Sequence, residues 1–155
     1  MRKLALISAV TSLIALAGCN ETSVSGRISG QQVHLDEASF GITEQAAAGG
    51  VTARVRLVLR DSRTGVRVVI EDLPIGVGKQ LAVAGTGPSR GFAAVVDVQL
   101  SDLDALLDGL RRHQRPLTAH GTLRGDVRLT TLLDEADASG GFHAEHDPAL
   151  DQLLQ

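Results

Sequence analysis

The most regular alternation of apolar and polar residues lies between positions 51 and 73. Over 51–60, Val, Ala and Leu at the odd positions alternate mainly with Thr and Arg at the even positions, which indicates a strand with one buried face. The turn-forming sequence Asp-Ser-Arg-Thr-Gly occupies 61–65, and the alternation resumes over 66–73. Two alternating runs around a short turn predict an antiparallel β-hairpin.

Shorter apolar runs elsewhere in the chain predict further strands. They lie at 24–35, 38–43, 91–100, 117–133 and 142–146. The segment 74–91 is rich in Gly and Pro and predicts loops with at most an edge strand over 81–84, while 134–141 predicts an acidic turn. Because Phe40, Phe92 and Phe142 are the only aromatic residues, the core must consist of aliphatic side chains, which suit a pleated sheet. We therefore predict a mainly β domain, either an antiparallel β-sandwich or an open barrel.

One segment has the pattern of a helix rather than a strand. Ser101 and Asp104 have the spacing of an N-terminal capping box, and leucines follow at helical spacing, at positions 103, 106, 107 and 110. Pro116 lies just beyond the basic end of this segment. The pattern predicts one short helix at about 101–113.

The N-terminal residues have the organisation of a secretory signal. Arg2 and Lys3 precede an apolar run of about 14 residues, and small residues follow it. A membrane-spanning helix is the competing interpretation, but it requires about 20 apolar residues. The length of the run therefore favours a cleaved signal peptide.

The residues Leu16-Ala17-Gly18-Cys19 resemble the lipobox of bacterial lipoprotein precursors. This resemblance implies cleavage before Cys19, acylation of its thiol and new amine, and attachment to a membrane through the acyl chains. An ordinary signal peptide that ends in a chance cysteine is the alternative. In the Gram-negative sorting pattern, Asp after the cysteine favours inner-membrane retention; Asn20 occupies that place here, so the resemblance implies an outer-membrane protein facing the periplasm.

These observations divide the chain into four parts: a signal peptide at 1–18, a lipidated cysteine with a short tether at 19–25, a β-rich domain at 26–147 and a C-terminal tail at 148–155. The formal net charge is −3 for the whole chain, and losing Arg2 and Lys3 with the signal makes it −5. An acidic chain without Trp or Tyr lacks the basic and stacking surfaces that nucleic acids require. We therefore expect no nucleic-acid partner.

A possible metal site is suggested by His143, Glu145 and His146, with His120 on a neighbouring strand. Alternation along a strand places His143 and Glu145 on one face and His146 on the other, so only two of them can converge without a bend. Zinc and copper sites need three or four ligands. Solvated polar side chains near a strand end are the alternative.

A possible interaction surface is formed by Arg54, Arg56 and Arg60, which share one face of a predicted strand, with Arg67 on its hairpin partner. Such a basic stripe could contact lipid phosphates or an acidic protein. A solvated face partly neutralised by Glu71 is the alternative.

Motifs for other chemistry are incomplete in this sequence. Gly76 to Lys79 lacks the spacing and the Ser or Thr of a phosphate-binding loop, the acidic 135–140 segment lacks the final Glu of a calcium loop, and there is no Gly-x-Ser-x-Gly nucleophile elbow. No motif predicts a cofactor. The sequence therefore favours a non-enzymatic structural, assembly or binding accessory at the outer membrane, with a protein partner in the cell envelope. A metal- or small-ligand-binding module that uses the His143–His146 region is the alternative, and a hydrolase without a recognisable motif is the third hypothesis.

Overall fold

Nine strands make up most of the chain that the computed structural model describes, namely residues 21–86, 89–101, 108, 112, 122–131 and 136–154. In chain order they are β1 (Ser23–Ile28), β2 (Gln31–Leu35), β3 (Glu37–Ala47), β4 (Gly50–Arg60), β5 (Arg67–Pro74), β6 (Gly78–Thr86), β7 (Ser89–Ser101), β8 (Thr122–Thr130) and β9 (Ala136–His146). A single 3-10 turn, Pro148–Leu150, follows β9. The predicted mainly β character is confirmed, and β4 and β5 form the predicted hairpin.

Seven of these strands close into a barrel. Strands β3 to β9 pair in chain order, and each is antiparallel to the next. Closure comes from β9, which pairs in parallel with β3 at Ser39–Glu145 and Phe40–His146. The prediction of a sandwich or an open barrel is therefore corrected to a closed barrel, because β9 uses both of its edges.

The hairpin of β1 and β2 lies beside this closure. One edge of β9 pairs with β8, while the other edge pairs with β1 over Ala136–Gly141 and with β3 further along. Inward-facing residues of the hairpin join the core of the barrel, where they are almost completely buried: Val24, Ile28, Val33 and Leu35. The core thus continues from the barrel into the N-terminal hairpin.

Small residues allow β1 and β9 to approach closely. A Cβ atom at Gly140 would overlap the carbonyl oxygen of Ser23, and one at Gly26 would overlap that of Asp137. The prediction of an acidic turn over 134–141 is wrong for the described part of this segment, because β9 begins at Ala136. The small residues there reflect crowding between strands and not a turn.

Strand β6 is the second departure from the prediction, since it is a full barrel strand, paired on both sides, where loops with at most an edge strand over 81–84 were expected. Its apolar side chains point outwards, with Leu81 79% and Val83 53% exposed, while Ala82 and Ala84 point inwards. The larger apolar side chains of β6 therefore lie on the exposed face and the small ones on the buried face, which is the reverse of the usual pattern. The Gly-rich residues on either side of β6 are typical of loops, so the sequence did not indicate a strand. Periodicity alone could not identify which face is buried.

The predicted helix at about 101–113 lies mostly outside the described residues. Ser101 is the last residue of β7. Asp108 is helical, and its carbonyl oxygen accepts a hydrogen bond of 3.0 Å from the backbone N–H of Arg112. Within the described chain, no helix has both the length and the apolar character needed to cross a membrane.

The described chain is packed against β9 already before residue 26. Val24 is completely buried, and Thr22 is 8% exposed. The hydroxyl of Thr22 accepts a hydrogen bond from the backbone N–H of His143 at 3.0 Å and lies 3.1 Å from the His143 carbonyl oxygen, to which it donates. The described chain is therefore fixed to β9 from Thr22 onwards.

A buried carboxylate holds β2 against the turn between β4 and β5. Asp61 is 1% exposed, and its oxygens accept hydrogen bonds from the backbone N–H groups of His34 (3.0 Å), Arg63 (3.0 Å) and Thr64 (2.8 Å). These bonds favour the charged carboxylate and lower the pKa of Asp61 from 3.8 to about 2, against the opposing effect of burial. Beside it, hydrogen bonds from Ser62 lower the pKa of Asp36.

We expect the free energy of unfolding to fall as the pH drops from about 4 towards about 2. Because the folded-state pKa of Asp61 lies below its ordinary value, its contribution is present above pH 3.8 and is lost as the carboxylate takes up a proton near pH 2. Urea denaturation over this pH range should show a flatter dependence for Asp61→Asn than for the wild type. Asp137→Asn, on the exposed face of β9, is the control; equal flattening in both variants would contradict this role of Asp61.

Candidate functional site

Four arginines lie on the outer wall formed by β4 and β5. Arg54 and Arg56 are half-buried, whereas Arg60 and Arg67 are exposed and face each other as cross-strand partners. The structure therefore places Arg60 and Arg67 side by side. Arg54 pairs with Pro74 at the opposite end of the β4–β5 ladder, six residues along β4 from Arg60.

Arg56 is engaged in contacts within the protein. One residue of β4, Arg56, faces two residues of β5, Glu71 and Asp72, in a β-bulge where Asp72 adopts a φ of 58°. The Arg56 guanidinium lies 3.4 Å from the Glu71 carboxylate and donates to the side-chain oxygen of Gln152 at 3.1 Å. Arg56 thus ties the C-terminal tail to the barrel wall, and the basic stripe is interrupted.

Arg60 and Arg67 border a shallow groove of about 530 Å³ between β3, β4, β5 and the turn after β9. Its walls also include Glu37, Asp147 and Leu150. The Arg60 guanidinium lies 3.6 Å from the Glu37 carboxylate, while Arg67 forms no ion pair with any described residue. Adjacent guanidinium groups can bind a carboxylate, and Arg67 is the one of this pair that no described carboxylate neutralises.

The residues of the predicted metal site are separated by the strand that carries them. On β9, His143 and Glu145 face outwards and His146 faces inwards with Phe142 and Ala144. His120 lies outside the described residues. Among the described residues, no group of three His, Cys, Asp or Glu side chains is placed to hold a metal ion.

His146 instead pairs with Asp151, a residue that the sequence analysis did not identify. The His146 Nε2 atom lies 3.0 Å and 3.2 Å from the two carboxylate oxygens of Asp151, and both side chains are almost buried. Asp151 also accepts a hydrogen bond of 2.7 Å from the backbone N–H of Ile42 on β3. The ring of Phe40 packs at 5.5 Å from the imidazole of His146.

This pair fixes the C-terminal tail along β3. Leu150 packs against Gly41, where a Cβ atom would come within 2.6 Å of it. Beyond Asp151, the backbone N–H of Gln152 donates to the carbonyl oxygen of Ile42, and the carbonyl oxygen of Gln152 accepts from the N–H of Glu44. These two bonds make a parallel β-bridge between Gln152 and Thr43. The tail at 148–154 is therefore part of the barrel wall, and the His146–Asp151 pair stabilises its attachment.

No family model matches this chain, and neither the curated proteins nor the solved structures contain a match to it.

We expect Asp151→Ala to destabilise the protein by about 1–3 kcal/mol, because it leaves the buried Ile42 N–H and the His146 ring without their acceptor. Urea denaturation measures the loss, and hydrogen exchange at the Ile42 amide should become faster. Asp147→Ala is the control, since the Asp147 carboxylate accepts a hydrogen bond from the exposed N–H of Ala149 in the same turn, and its backbone bonds are kept in the variant. Unchanged exchange at Ile42 would show that the tail does not depend on the pair.

Proposed function

We propose that this chain is the precursor of a lipid-anchored lipoprotein of the bacterial cell envelope, with Cys19 as its first mature residue. The proposal rests on the order of basic residues, apolar run, small residues and cysteine over the first 19 positions. Cys19 is the only cysteine, so acylation accounts for a thiol that would otherwise stand alone in an exported protein. Three acyl chains exceed the two signals that stable anchoring requires.

The start of the barrel supports a short connection between the anchor and the domain. Three residues separate Cys19 from β1, and the last of them, Thr22, is already hydrogen-bonded to β9. A span from Cys19 to Thr22 is at most about 11 Å when fully extended. The anchored barrel is therefore held directly at the membrane surface. Asn20 favours the outer membrane, with the barrel in the periplasm.

Within this class, we propose a structural, assembly or binding accessory. Two buried or partly buried carboxylates are occupied in holding the fold: Asp61 accepts hydrogen bonds from backbone N–H groups of β2 and of the turn between β4 and β5, and Asp151 binds both Ile42 and His146. Arg67 has no ion-pair partner in the described chain, and it borders a groove. The groove with Arg60 and Arg67 is therefore the surface that we assign to a protein partner with acidic residues.

Acylation is tested with Cys19→Ala in a native or related host. The wild type should lose the first 18 residues and carry added acyl mass, whereas the variant should carry no acyl mass and should not be cut before residue 19. Mass spectrometry of the membrane fraction measures both, and Ser12→Ala within the apolar run should behave as the wild type. A Cys19→Ala protein with the mature mass in the membrane would contradict the lipoprotein proposal.

Asn20→Asp tests sorting separately: it should move the anchored protein to the inner membrane.

The partner surface is tested in intact cells by placing a photo-crosslinking residue at Glu37, which is exposed in the same groove, so that Arg60 and Arg67 are both kept. We expect a discrete adduct with an envelope protein, and we expect Arg60→Glu in the same chain to weaken it because it reverses a charge beside the site. The same residue placed at Arg27, which is exposed on β1, is the control and should give no such adduct. Equal adducts at both positions would show that the groove has no special role.

A further inference from the structure

The C-terminal tail lies on β3 as an added strand. Beyond the 3-10 turn it runs parallel to β3, and the backbone of Gln152 bonds to the residues on either side of Thr43. Domains that bind extended peptides use the same arrangement, in which main-chain bonds to a strand edge provide affinity and neighbouring side chains provide specificity. We name the β3 edge over 40–44, together with the side chains of Arg56 and His146, the tail seat.

Gly41 leaves the space in which the tail lies. A Cβ atom at this position would come within 2.6 Å of Leu150. The backbone of Gly41 lies outside the left-handed region, so its conformation does not require glycine. Its cross-strand partner on β4 is Arg56, so the space opens beside a cationic residue. The tail seat thus offers an apolar contact next to a guanidinium.

The position of Asp151 in the tail seat requires a carboxylate. Its oxygens accept a hydrogen bond of 2.7 Å from the backbone N–H of Ile42 and lie 3.0 Å and 3.2 Å from the Nε2 atom of His146. The His146 side chain is 1% exposed, so this bond is shielded from water, where a hydrogen bond is electrostatically stronger. An Asn side chain in the same place would present a single oxygen to both partners.

The next residue of the tail, Gln152, satisfies its partner only in part. The Nη2 atom of Arg56 lies 3.1 Å from the side-chain oxygen of Gln152 and 3.4 Å from the Glu71 carboxylate. The buried Nε atom of Arg56 has no hydrogen-bond partner among the residues that the structure describes. An amide presents one oxygen to a guanidinium, whereas a carboxylate presents two and can bind Nε and Nη2 together. The tail seat therefore fits Glu at this position better than the Gln that occupies it.

The tail buries little apolar surface of its own. Pro148 and Ala149 are exposed, and Leu150 and Leu153 are only half-buried. A segment with few buried apolar contacts opens at a lower free energy than the whole domain does. The tail can therefore leave the seat while the barrel remains folded.

We infer that the tail is the resident occupant of a binding site for an extended acidic segment of a protein partner. The segment displaces the tail and adds to β3 as a parallel strand. It carries an apolar residue over Gly41, Asp in the place of Asp151 and Glu in the place of Gln152. The two adjacent carboxylates distinguish this segment from the tail itself, which has only the first.

This inference rests on the proposed function and gives the partner a form. The groove that we assigned to an acidic partner is bordered by Arg60 and Arg67, and also by Asp147 and Leu150 at the start of the tail. A segment that takes the place of the tail therefore enters the seat from this groove. Acidic residues that precede its apolar residue lie beside the two arginines.

Binding is measured by fluorescence anisotropy with the full-length chain carrying Asp151→Ala, which weakens the resident tail. The probes are a labelled peptide with the sequence of residues 148–155, the same peptide with Glu in the place of Gln152, and the same peptide with Asn in the place of Asp151. We expect the Glu peptide to bind about tenfold more tightly than the first, because a bond to a charged acceptor is worth roughly twice a neutral one. The Asn peptide should bind at least about tenfold more weakly than the first. A scrambled Glu peptide of the same charge is the control and should not bind.

Hydrogen exchange at the Ile42 amide reports where the peptide binds. In the Asp151→Ala chain this exchange should be fast, and the Glu peptide should slow it again, whereas the Asn peptide should not. Adding Arg56→Gln to the chain should remove the preference for the Glu peptide over the first peptide. Circular dichroism confirms that each variant is folded.

Gln152→Glu in the otherwise unchanged full-length chain tests the same chemistry without a peptide. The tail's own carboxylate then reaches both nitrogens of Arg56, so urea denaturation should show a higher free energy of unfolding and the Ile42 amide should exchange more slowly. A variant no more stable than the wild type would overturn the selection of a carboxylate by Arg56.

Failure of the inference differs from failure of the proposed function. A scrambled peptide that binds as well as the Glu peptide, or an Ile42 amide that stays unprotected, would overturn the tail seat as a binding site. If a crosslinked adduct nevertheless formed from Glu37 in cells, the partner groove would stand without it. Peptide binding in the seat without any adduct from Glu37 would support the seat and overturn the groove.

Discussion

The architecture depends on the two edges of β9. One edge pairs with β8 over most of its length, and the other is divided between β1 and β3. Only two residue pairs and the hydrogen bond of 2.8 Å from the Asp147 N–H to the Phe40 carbonyl join β9 directly to β3. The barrel therefore closes through a short direct seam, and the β1–β2 hairpin and the C-terminal tail extend that seam on either side. Closure in this way also removes an open strand edge that could pair with another molecule.

Three polar side chains hold the segments around this closure in place. The Asp61 carboxylate accepts a hydrogen bond from the backbone of β2, and the Asp151 carboxylate binds a backbone N–H of β3 and the ring of His146. Thr22 attaches the start of the chain to β9. A small domain with an aliphatic core gains specificity from such bonds, because each satisfies a buried backbone group that would be costly to leave unpaired. A side chain that suggests chemistry in the sequence, such as His146, is here part of the wall.

Sequence patterns predicted the mainly β class, the β4–β5 hairpin and the alternation that separates His143 and Glu145 from His146. They did not predict β6, because Leu81 and Val83 are on the outside and the inward residues are small. They did not predict the start of β9, because Ala138 and Gly140 resemble a turn when the neighbouring strand is unknown. Barrel closure and the partnership of His146 with Asp151 depend on contacts between distant strands and on a tail without periodicity, and no local pattern encodes them.

The path of the chain from Thr22 into β1 also determines how the protein would bear mechanical load. If Cys19 is anchored in the bilayer as proposed, tension on the domain acts along β1, which runs between β2 and β9 and is paired with both. A force in this direction shears the β1 hydrogen bonds together and does not open them one after another. The two bonds of the Thr22 hydroxyl to His143 lie at the point where that force enters the sheet. Under the proposed anchoring, the domain would be attached through a strand whose neighbours share the load, and a whole ladder of hydrogen bonds would have to break before the barrel separated from its anchor.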